Sequence, residues 1–179
     1  MSSVIYKRAG TAEELMQILK LQRSNIPTSI SKEEKQQEGF VTVQHTFEIL
    51  KAMNDKCAHF IAVHNNRVIG YALCMDKSFR NSIEVLKPMF DAINKHNREQ
   101  NYMVMGQICV DKSYRKQGVF RRLYNTMKME LNAMFDAIIT EVDRKNIRSL
   151  NAHYAIGFNV LYSYRSSNQD WEILIWDIT

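Results

Sequence analysis

One stretch of the chain, GQICVDKSYRKQGVFRRLY at residues 106–124, limits the possible folds more than any other. Strand-like residues end near Val110, a short basic turn follows, and helical spacing of apolar residues runs from Gly118 to Met134. The first four N–H groups of such a helix have no partners within it. The summed peptide dipoles also place about half a positive charge at that end. The turn therefore favours an anion such as a phosphate group.

Basic residues concentrate in and directly after this turn. In the whole chain, 24 Lys and Arg against 19 Asp and Glu give a net charge of +5. Residues 112–128 alone carry six basic side chains and no acidic one: Lys112, Arg115, Lys116, Arg121, Arg122 and Lys128. This distribution indicates one local anion site and no nucleic-acid surface, because neither a helix-turn-helix nor an RNP pattern is present. The common phosphate loops, GxxxxGK[ST] and GxGxxG, are also missing from the sequence.

Length and composition argue against a membrane protein and against a secreted protein. A chain of 179 residues matches one domain of the usual ~100–200 residues, and we expect a single domain over 1–179. No apolar run approaches the ~18 residues of a membrane helix, and the polar start does not resemble a secretory signal. We therefore expect a cytoplasmic protein without a membrane partner. Three widely spaced cysteines and histidines without an HExxH pattern predict neither a disulfide framework nor a metal site.

The hydrophobic patterns predict the order β-α-α-β-β-α-β-α-β-α-β-β, an α/β or α+β fold with a mixed sheet. The predicted strands are 4–8, 59–63, 67–74, 102–110, 137–142, 158–164 and 171–177, and the helices are 11–21, 46–54, 82–97, 118–134 and 146–156, with a weak helix or loop at 31–37. Thr11 and Glu14 form a predicted capping box. Asn65-Asn66 predicts a tight hairpin turn, and Gly106 predicts either a bulge within its strand or a close approach of another backbone.

The second half of the chain repeats the strand-into-helix arrangement. Strand 137–142 leads into a helix that begins at Asn146, whose amide either caps the helix or hydrogen-bonds a ligand. If this strand lies parallel to strand 102–110, both following helices leave the same edge of the sheet. A ligand then fits in the crevice at the carboxyl ends of the two strands.

These two segments resemble the GNAT N-acetyltransferase family. The run Arg115-Lys116-Gln117-Gly118-Val119-Phe120 is similar to the R/Q-x-x-G-x-G/A turn of its motif A, except that Phe120 replaces the final small residue. Asn146 to Phe158 resembles motif B, including the Gly-Phe pair that ends the helix. The resemblance is weakest in residues 25–58 and 82–97. It implies a mixed, mostly antiparallel twisted sheet with a central parallel strand pair, flanked by helices.

The resemblance also implies an activity: an acyltransferase that moves an acetyl group from acetyl-CoA (coenzyme A) to a primary amine by direct attack in a ternary complex. The acceptor would be a small molecule, an amino acid or a peptide. The residues carried over for the cofactor are Ile108, Cys109 and Val110 for the pantetheine arm, Arg115, Lys116, Gln117, Gly118, Val119, Phe120 and Arg121 for the diphosphate, and Asn146. The alternative is a catalytically silent module that binds acyl-CoA.

Two groups are candidates for the acid that protonates the CoA thiolate. The family's tyrosine lies four residues before the motif B glycine, which places His153 at that position and Tyr154 one residue later. One residue rotates a helical side chain by about 100 degrees, so the two cannot both face one sulfur atom. His153 is preferred by position, and Tyr154 is the second choice.

Glu141 is the candidate base that removes a proton from the amine. The ribosomal-protein N-terminal acetyltransferases of the family carry a similar E-V-x-x-x-N run, which matches Glu141-Val142 and Asn146. Alternatively, Glu141 is an exposed strand end or forms an ion pair with Arg144 or Arg148. Gln107 and Asp111, near the neighbouring strand, are further candidates to orient a water molecule or the amine.

The sequence leaves open the role of Cys109, the role of the C-terminal aromatic residues and the oligomeric state. Cys109 is a conceivable covalent acceptor of the acetyl group, although a buried cysteine is usually inert. Tyr162, Tyr164 and Trp171 either line an acceptor pocket or pack the sheet. Sheet edges formed by the C-terminal strands favour pairing into a homodimer.

Overall fold

The computed structural model describes residues 3–31, 33, 38–97 and 100–179. Its elements follow the predicted order. They are β1 (Ile5–Arg8), α1 (Ala12–Arg23), α2 (Phe47–Lys56), β2 (Phe60–His64), β3 (Arg67–Met75), α3 (Lys87–His96), β4 (Tyr102–Val110), α4 (Val119–Leu131), β5 (Ala137–Asp143), α5 (Ile147–Tyr154), β6 (Asn159–Ser166) and β7 (Gln169–Asp177). Within these described ranges, no helix has the length and apolar character needed to cross a membrane.

The strands of the described residues form one sheet in the order β1-β2-β3-β4-β5-β7-β6. Neighbouring strands are antiparallel except β4 and β5, which run parallel. The parallel pair has only three rungs, ending at Val104 and Ile139; beyond these residues the two strands, both described in full, form no further pairs. The predicted mixed sheet with a central parallel pair is therefore confirmed, and the pair separates toward its carboxyl ends.

A bulge in β4 lies at the start of this separation. Leu73 of β3 pairs with Gln107, whereas the next residue, Cys74, pairs with Met105, so Gly106 has no partner on β3. An atom placed as a Cβ on Gly106 would lie 3.0 Å from the end of the Met75 side chain. Because a bulge bends a strand and increases its twist, this glycine helps to turn β4 away from β5. The bulge predicted at Gly106 is confirmed.

Two hydrophobic layers cover the two faces of the sheet. Strand side chains alternate between faces. Tyr71 and Leu73 of β3 pack with α1, α2 and α3, and Ala72 and Cys74 pack with α4 and α5. Buried residues of the amphipathic helix α4 fill the second layer: Leu123, Tyr124, Met127 and Leu131. Helices thus cover both faces of the central strands, whereas much of the edge strand β6 is exposed.

Local signals in the sequence set most element ends correctly. Thr11 and Glu14 form the predicted capping box. Asn65 and Asn66 both have positive φ, 50° and 59°, as a two-residue hairpin turn requires. The last hairpin is tighter than predicted: its turn is Ser167-Asn168, also with positive φ, so β6 and β7 extend closer to the turn than the sequence indicated.

The predicted helix at 82–97 is partly wrong. Two short 3-10 turns, Lys77–Asn81 and Glu84–Leu86, precede an α-helix that begins only at Lys87. Pro88 lies in the first turn of this helix. Proline fits that position because its fixed φ suits a helix start and its missing N–H has no partner there anyway. Most of the polar stretch predicted as weak helix or loop, 31–37, lies outside the described residues.

Candidate active site

A cavity of about 340 Å³ lies at the carboxyl end of β4, where this strand has separated from β5. Its walls come from the end of β4, the basic turn, the start of α4 and one side of α5. The segment of residues 38–45, which we call the strap, contributes Glu38, Gly39, Phe40 and Val41. The predicted crevice beyond the parallel pair is therefore present.

The basic turn leaves backbone N–H groups open at the start of α4. The first intrahelical bond there runs from the N–H of Arg122 to the carbonyl of Gly118, over 3.0 Å. The N–H groups of Val119, Phe120 and Arg121 precede that bond, and all three residues line the cavity. Gly118, at the N-cap, has a φ of 81°, which costs little only for glycine. No atom lies within 4 Å of a Cβ position at Gly118, so space remains for a ligand.

The cations around the turn have distinct contacts. Arg115 is largely buried and donates to the carbonyl of Val110 at 3.1 Å and to Asn25 Oδ1 at 2.6 Å, which fixes the turn against β4 and the segment that follows α1. The carboxylate of Glu38 lies 3.5 Å from Arg115 Nη1 and 3.3 Å from Lys116 Nζ. These two cations hold the pKa of Glu38 below its usual value. An acidic side chain of the strap therefore already lies against the anion-binding turn.

Backbone groups of β4 also face the open side. The N–H of Asp111 donates to the carbonyl of Ile69 on β3, at 2.8 Å. Amides along a strand alternate in direction, so the N–H groups of Val110 and Ile108 point toward the side that β5 has left. Both residues line the cavity. An extended ligand can hydrogen-bond to this edge as an added strand would.

Asn146 connects α5 to the strap. Its Oδ1 accepts from the N–H of Ser149 at 3.3 Å, as an N-cap does, and its Nδ2 donates to the carbonyl of Phe40 at 2.9 Å. Gly39, with a φ of 78°, lies so close that a Cβ there would be 2.9 Å from Asn146 Oδ1. Of the two roles expected for this amide, it performs the helix cap, and it also lines the cavity.

A second cavity, of about 310 Å³, lies on the other side of Phe40, which lines both. Gly106, Glu141 and Asp143 contribute to its wall. Glu141 is mostly buried and accepts a short hydrogen bond from the hydroxyl of Tyr164. Burial raises the pKa of Glu141 to about 7, while the hydrogen bond from Tyr164 lowers it. A carboxyl group that titrates near neutral pH is suited to accept a proton there.

Comparison with known proteins identifies the family. The profile of the acetyltransferase (GNAT) family matches residues 12–158, which is most of the chain. The chain belongs to the GNAT acetyltransferase family. Comparison with curated protein sequences gives no match.

Solved structures of GNAT proteins share the fold. The ribosomal-protein-S18-alanine N-acetyltransferase from Escherichia coli is 14% identical with a TM-score of 0.67, over 99% of this chain and 95% of that one. A chain of the NatC complex bound to Gag peptide and CoA is 20% identical with a TM-score of 0.68, over 99% of both chains. Salmonella typhimurium yncA, solved with acetyl-CoA, is 12% identical with a TM-score of 0.65, over 98% and 94%.

The structure places both candidate acids of this GNAT domain away from the cavities. The His153 side chain is 1% exposed. Its Nδ1 lies 2.7 Å from the carbonyl of Ser149 and therefore carries the proton, so Nε2, at 2.7 Å, accepts from the hydroxyl of Tyr124. Burial lowers the pKa of His153 to about 4. The hydroxyl of Tyr154 donates to Glu172 at 2.5 Å.

Neither His153 nor Tyr154 belongs to the lining of the two cavities, so the expectation that one of them faces the thioester sulfur is not supported. The reason is the burial of the helix face on which His153 lies. It packs edge-on against Phe120, Tyr124 and Phe158. The next residue, Tyr154, points outward and is 40% exposed.

The alternatives to Glu141 have structural roles. Gln107 Oε1 accepts from Gln22 and from the hydroxyl of Tyr71, at 2.7 and 2.6 Å, and Gln107 Nε2 donates to the carbonyl of Val43. Asp111 caps the turn after β4 and forms an ion pair with Arg67. These contacts account for the side chains of Gln107 and Asp111, and neither residue lines the second cavity.

The two arginines considered as ion-pair partners of Glu141 lie elsewhere. Arg144 pairs with Glu172 at 3.3 Å, and Arg148 lines the first cavity. Cys109 lines that cavity too, but burial raises the pKa of its thiol to about 12. A thiol that stays protonated is a poor nucleophile.

Most residues predicted to hold the cofactor lie together around the first cavity. They are Ile108, Cys109, Val110, Arg115, Lys116, Gly118, Val119, Phe120, Arg121 and Asn146. Gln117 does not line it, and its side chain donates to the carbonyl of Ser113 at 2.8 Å. Tyr164 contacts Glu141, and Trp171 lines the second cavity. Among the described residues, no group of three or more His, Cys, Asp or Glu side chains could hold a metal ion.

No motif in the sequence indicates the strap. It lies in the region of weakest resemblance, yet several hydrogen bonds fix it, including those from Asn146 to Phe40 and from Gln107 to Val43. The one local signal is Gly39, whose positive φ and close contact with Asn146 exclude a side chain. The partners of the strap lie far away in sequence, so no local pattern indicates them.

Proposed function

We propose that this GNAT protein is an acetyl-CoA-dependent N-acetyltransferase that transfers the acetyl group directly to a primary amine. The observation that carries the proposal is the pair of cavities that meet at Phe40. One has an open anion-binding turn, and the other has a carboxyl group whose pKa is about 7. This arrangement suits a phosphorylated thioester on one side and an amine on the other, with the reacting atoms meeting between β4 and β5.

The first cavity fits coenzyme A. The N–H groups of Val119, Phe120 and Arg121 would hold the diphosphate, with Lys116 supplying further positive charge. The free space above Gly118 supports this fit, because a side chain there would lie between the phosphate and the amides. The pantetheine arm would follow the open N–H groups of Ile108 and Val110. When bound, acetyl-CoA supplies an activated acetyl group as a thioester.

Glu141 would act as the base. A protonated amine has no lone pair for attack, so its proton must leave first. Glu141 lies on the wall of the second cavity, and Tyr164 fixes the orientation of its carboxylate. The nitrogen then forms a bond to the acetyl carbon, the carbon–sulfur bond breaks, and the second proton that the nitrogen releases passes through solvent to the leaving thiolate. An N–H group at Ile108 or Val110 is the proposed donor to the developing oxyanion.

Much of the acceleration would come from placing the two reactants together. Orientation of reactants contributes about 7–11 kcal/mol in favourable systems. The strap contributes to both cavities through Phe40 and would hold the acceptor against the thioester. A cytoplasmic location, a single domain over residues 1–179 and a homodimer formed through the edge strand β6 stay predictions.

Cofactor binding would exchange one anion for another at the turn. The Glu38 carboxylate lies against Arg115 and Lys116, where the diphosphate is proposed to lie nearby. Each such ion pair near the surface contributes only about 0.2–1 kcal/mol. The exchange therefore weakens acetyl-CoA binding by a modest factor without preventing it.

We predict that Glu38→Gln tightens acetyl-CoA binding by about fivefold, which corresponds to about 1 kcal/mol for the two pairs. Isothermal titration calorimetry at low salt measures the dissociation constant. Glu84→Gln removes the same charge from an exposed site outside both cavities and should leave the constant unchanged. The gain should shrink as salt screens the pairs. Weaker binding by the Glu38 variant would contradict the proposed position of the diphosphate.

For Glu141→Gln we expect kcat to fall by about 10²- to 10⁴-fold, as for loss of a general base, while the dissociation constant of acetyl-CoA stays within about twofold. Amine-dependent release of the CoA thiol measures kcat, and the exposed Asp55→Asn serves as a control. Retention of full kcat would exclude Glu141 as the base. Acetyl-CoA binding without turnover by the wild-type protein, with any amine, would instead favour the silent module.

The pH profile tests the contact between Tyr164 and Glu141. The base must be deprotonated, so kcat/KM should rise with pH through about 7. Because the hydrogen bond lowers the pKa of Glu141, its loss in Tyr164→Phe should move this rise to higher pH, with rates approaching wild type in alkali. Tyr162→Phe, on the same strand but stacked on His96, should leave the profile in place. An unshifted profile for Tyr164→Phe would refute the assignment.

A further inference from the structure

The second cavity carries acidic groups and no described basic one. Glu141 and Asp143, on the same face of β5, supply its charged lining. Apolar side chains make up most of the remaining wall, among them Phe40, Met89 and Trp171. No Lys, Arg or His appears among the lining residues that the structure describes. The acceptor side of the site is therefore apolar and negatively charged.

The basic residues that follow Asp143 in the sequence are Arg144, Lys145 and Arg148. Arg144 pairs with Glu172, and Arg148 lines the first cavity. Lys145 follows Asp143 closely, but it is its backbone N–H that donates to Asp143 Oδ1, at 2.8 Å. None of these three basic residues lines the second cavity.

Asp143 is held in a fixed orientation at the end of β5. The residue is 4% exposed. Its Oδ1 accepts from the N–H of Lys145, and its Oδ2 accepts from Gln169 Nε2 at 2.7 Å. Neutral donors thus fix both carboxylate oxygens, and water has little access to screen the formal charge of this buried residue.

This charge distribution distinguishes between acceptors that share a primary amine but differ in the charge of the group next to it. In a free amino acid, the carboxylate is attached to the carbon that bears the amine. If the amine reaches Glu141, that carboxylate must enter a cavity that already holds Asp143 and has no described cation to pair with it. An amide or an unsubstituted carbon at the same position avoids the repulsion between like charges.

We propose that the acceptor is an amine that carries an apolar substituent and no adjacent carboxylate, and that Asp143 excludes free amino acids. The inference rests on the proposed function, since it concerns the acceptor of that reaction. The shared chemistry, an uncharged group beside the amine, occurs both in small amines or amides and at the first residue of a peptide. The apolar wall around Met89 and Trp171 favours a side chain such as that of methionine or leucine.

Matched acceptors test the proposal with the full chain and saturating acetyl-CoA. L-methionine, L-methioninamide and 3-(methylthio)propylamine share one side chain. They differ only in the group on the carbon that bears the amine, which is a carboxylate, an amide or a hydrogen atom. Their kcat/KM values are compared per unprotonated amine, because the amine pKa differs among them. We expect the amide and the propylamine to exceed methionine by at least about tenfold, the effect of one like charge at close range in a partly buried site. A methionine-initiated tetrapeptide distinguishes a peptide source from a small-molecule source.

Variants test whether cavity charge causes this preference. The amide-to-acid ratio is kcat/KM for L-methioninamide divided by kcat/KM for L-methionine. Asp143→Asn should reduce this ratio by about threefold or more, because it removes one negative charge. The side-chain amide of Gln169 can flip to donate or accept, so its hydrogen bond to residue 143 can be kept. Thr42→Lys places a cation at an exposed position of the same lining and should act in the same direction, which keeps the test valid if the Asp143 variant folds poorly. Asp55→Asn, outside both linings, should leave the ratio unchanged.

The outcomes separate the two proposals. Methionine used as well as its amide, or a ratio unchanged in both cavity variants, would overturn the inference and leave the acetyltransferase activity standing. Acetyl-CoA binding without acetylation of any acceptor, charged or uncharged, would overturn the proposed function and the inference together. A ratio that favours the amide and narrows in both variants would support both.

Discussion

The site depends on one constraint in the sheet: the only parallel pair of described strands separates after three rungs. Parallel strands normally continue side by side, so the opening requires a specific cause, and the unpaired Gly106 supplies a local bend in β4. Past this point β4 exposes backbone donors at Ile108 and Val110 on one side, while β5 presents Glu141 to the space alongside. One irregularity in backbone pairing thus accounts for both the proposed cofactor groove and the position of the proposed base.

A buried polar network gives this opening its second wall. Gln107, on the bulged strand, is fixed by Gln22 and by the hydroxyl of Tyr71, and it holds the strap through the carbonyl of Val43. Buried polar groups stabilise a structure only when they are hydrogen-bonded, and these amides bond one another across α1, β3 and β4. The strap then places Phe40 between the two cavities. Residues that resemble catalytic candidates in sequence therefore serve to position a segment that neither motif includes.

The sequence predicts those features that depend on neighbouring residues. The capping box at Thr11, the paired asparagines at 65–66 and the bulge at Gly106 follow from local backbone preferences and are confirmed. The family motifs also predicted most of the first cavity. The orientation of His153 could not be predicted in this way, because it depends on how α5 packs on Tyr124 and Phe158, far away in the chain. Long-range packing decides which face of a helix reaches a site.

The proposed site depends on binding of the coenzyme A diphosphate to the open amides at the start of α4. A crystal structure of the complex with acetyl-CoA would test this binding. We expect phosphate oxygens within hydrogen-bonding distance of the N–H groups of Val119, Phe120 and Arg121, with the Glu38 carboxylate moved from Lys116. A diphosphate bound elsewhere, with Glu38 still paired to Lys116 and the amides free of phosphate, would contradict it.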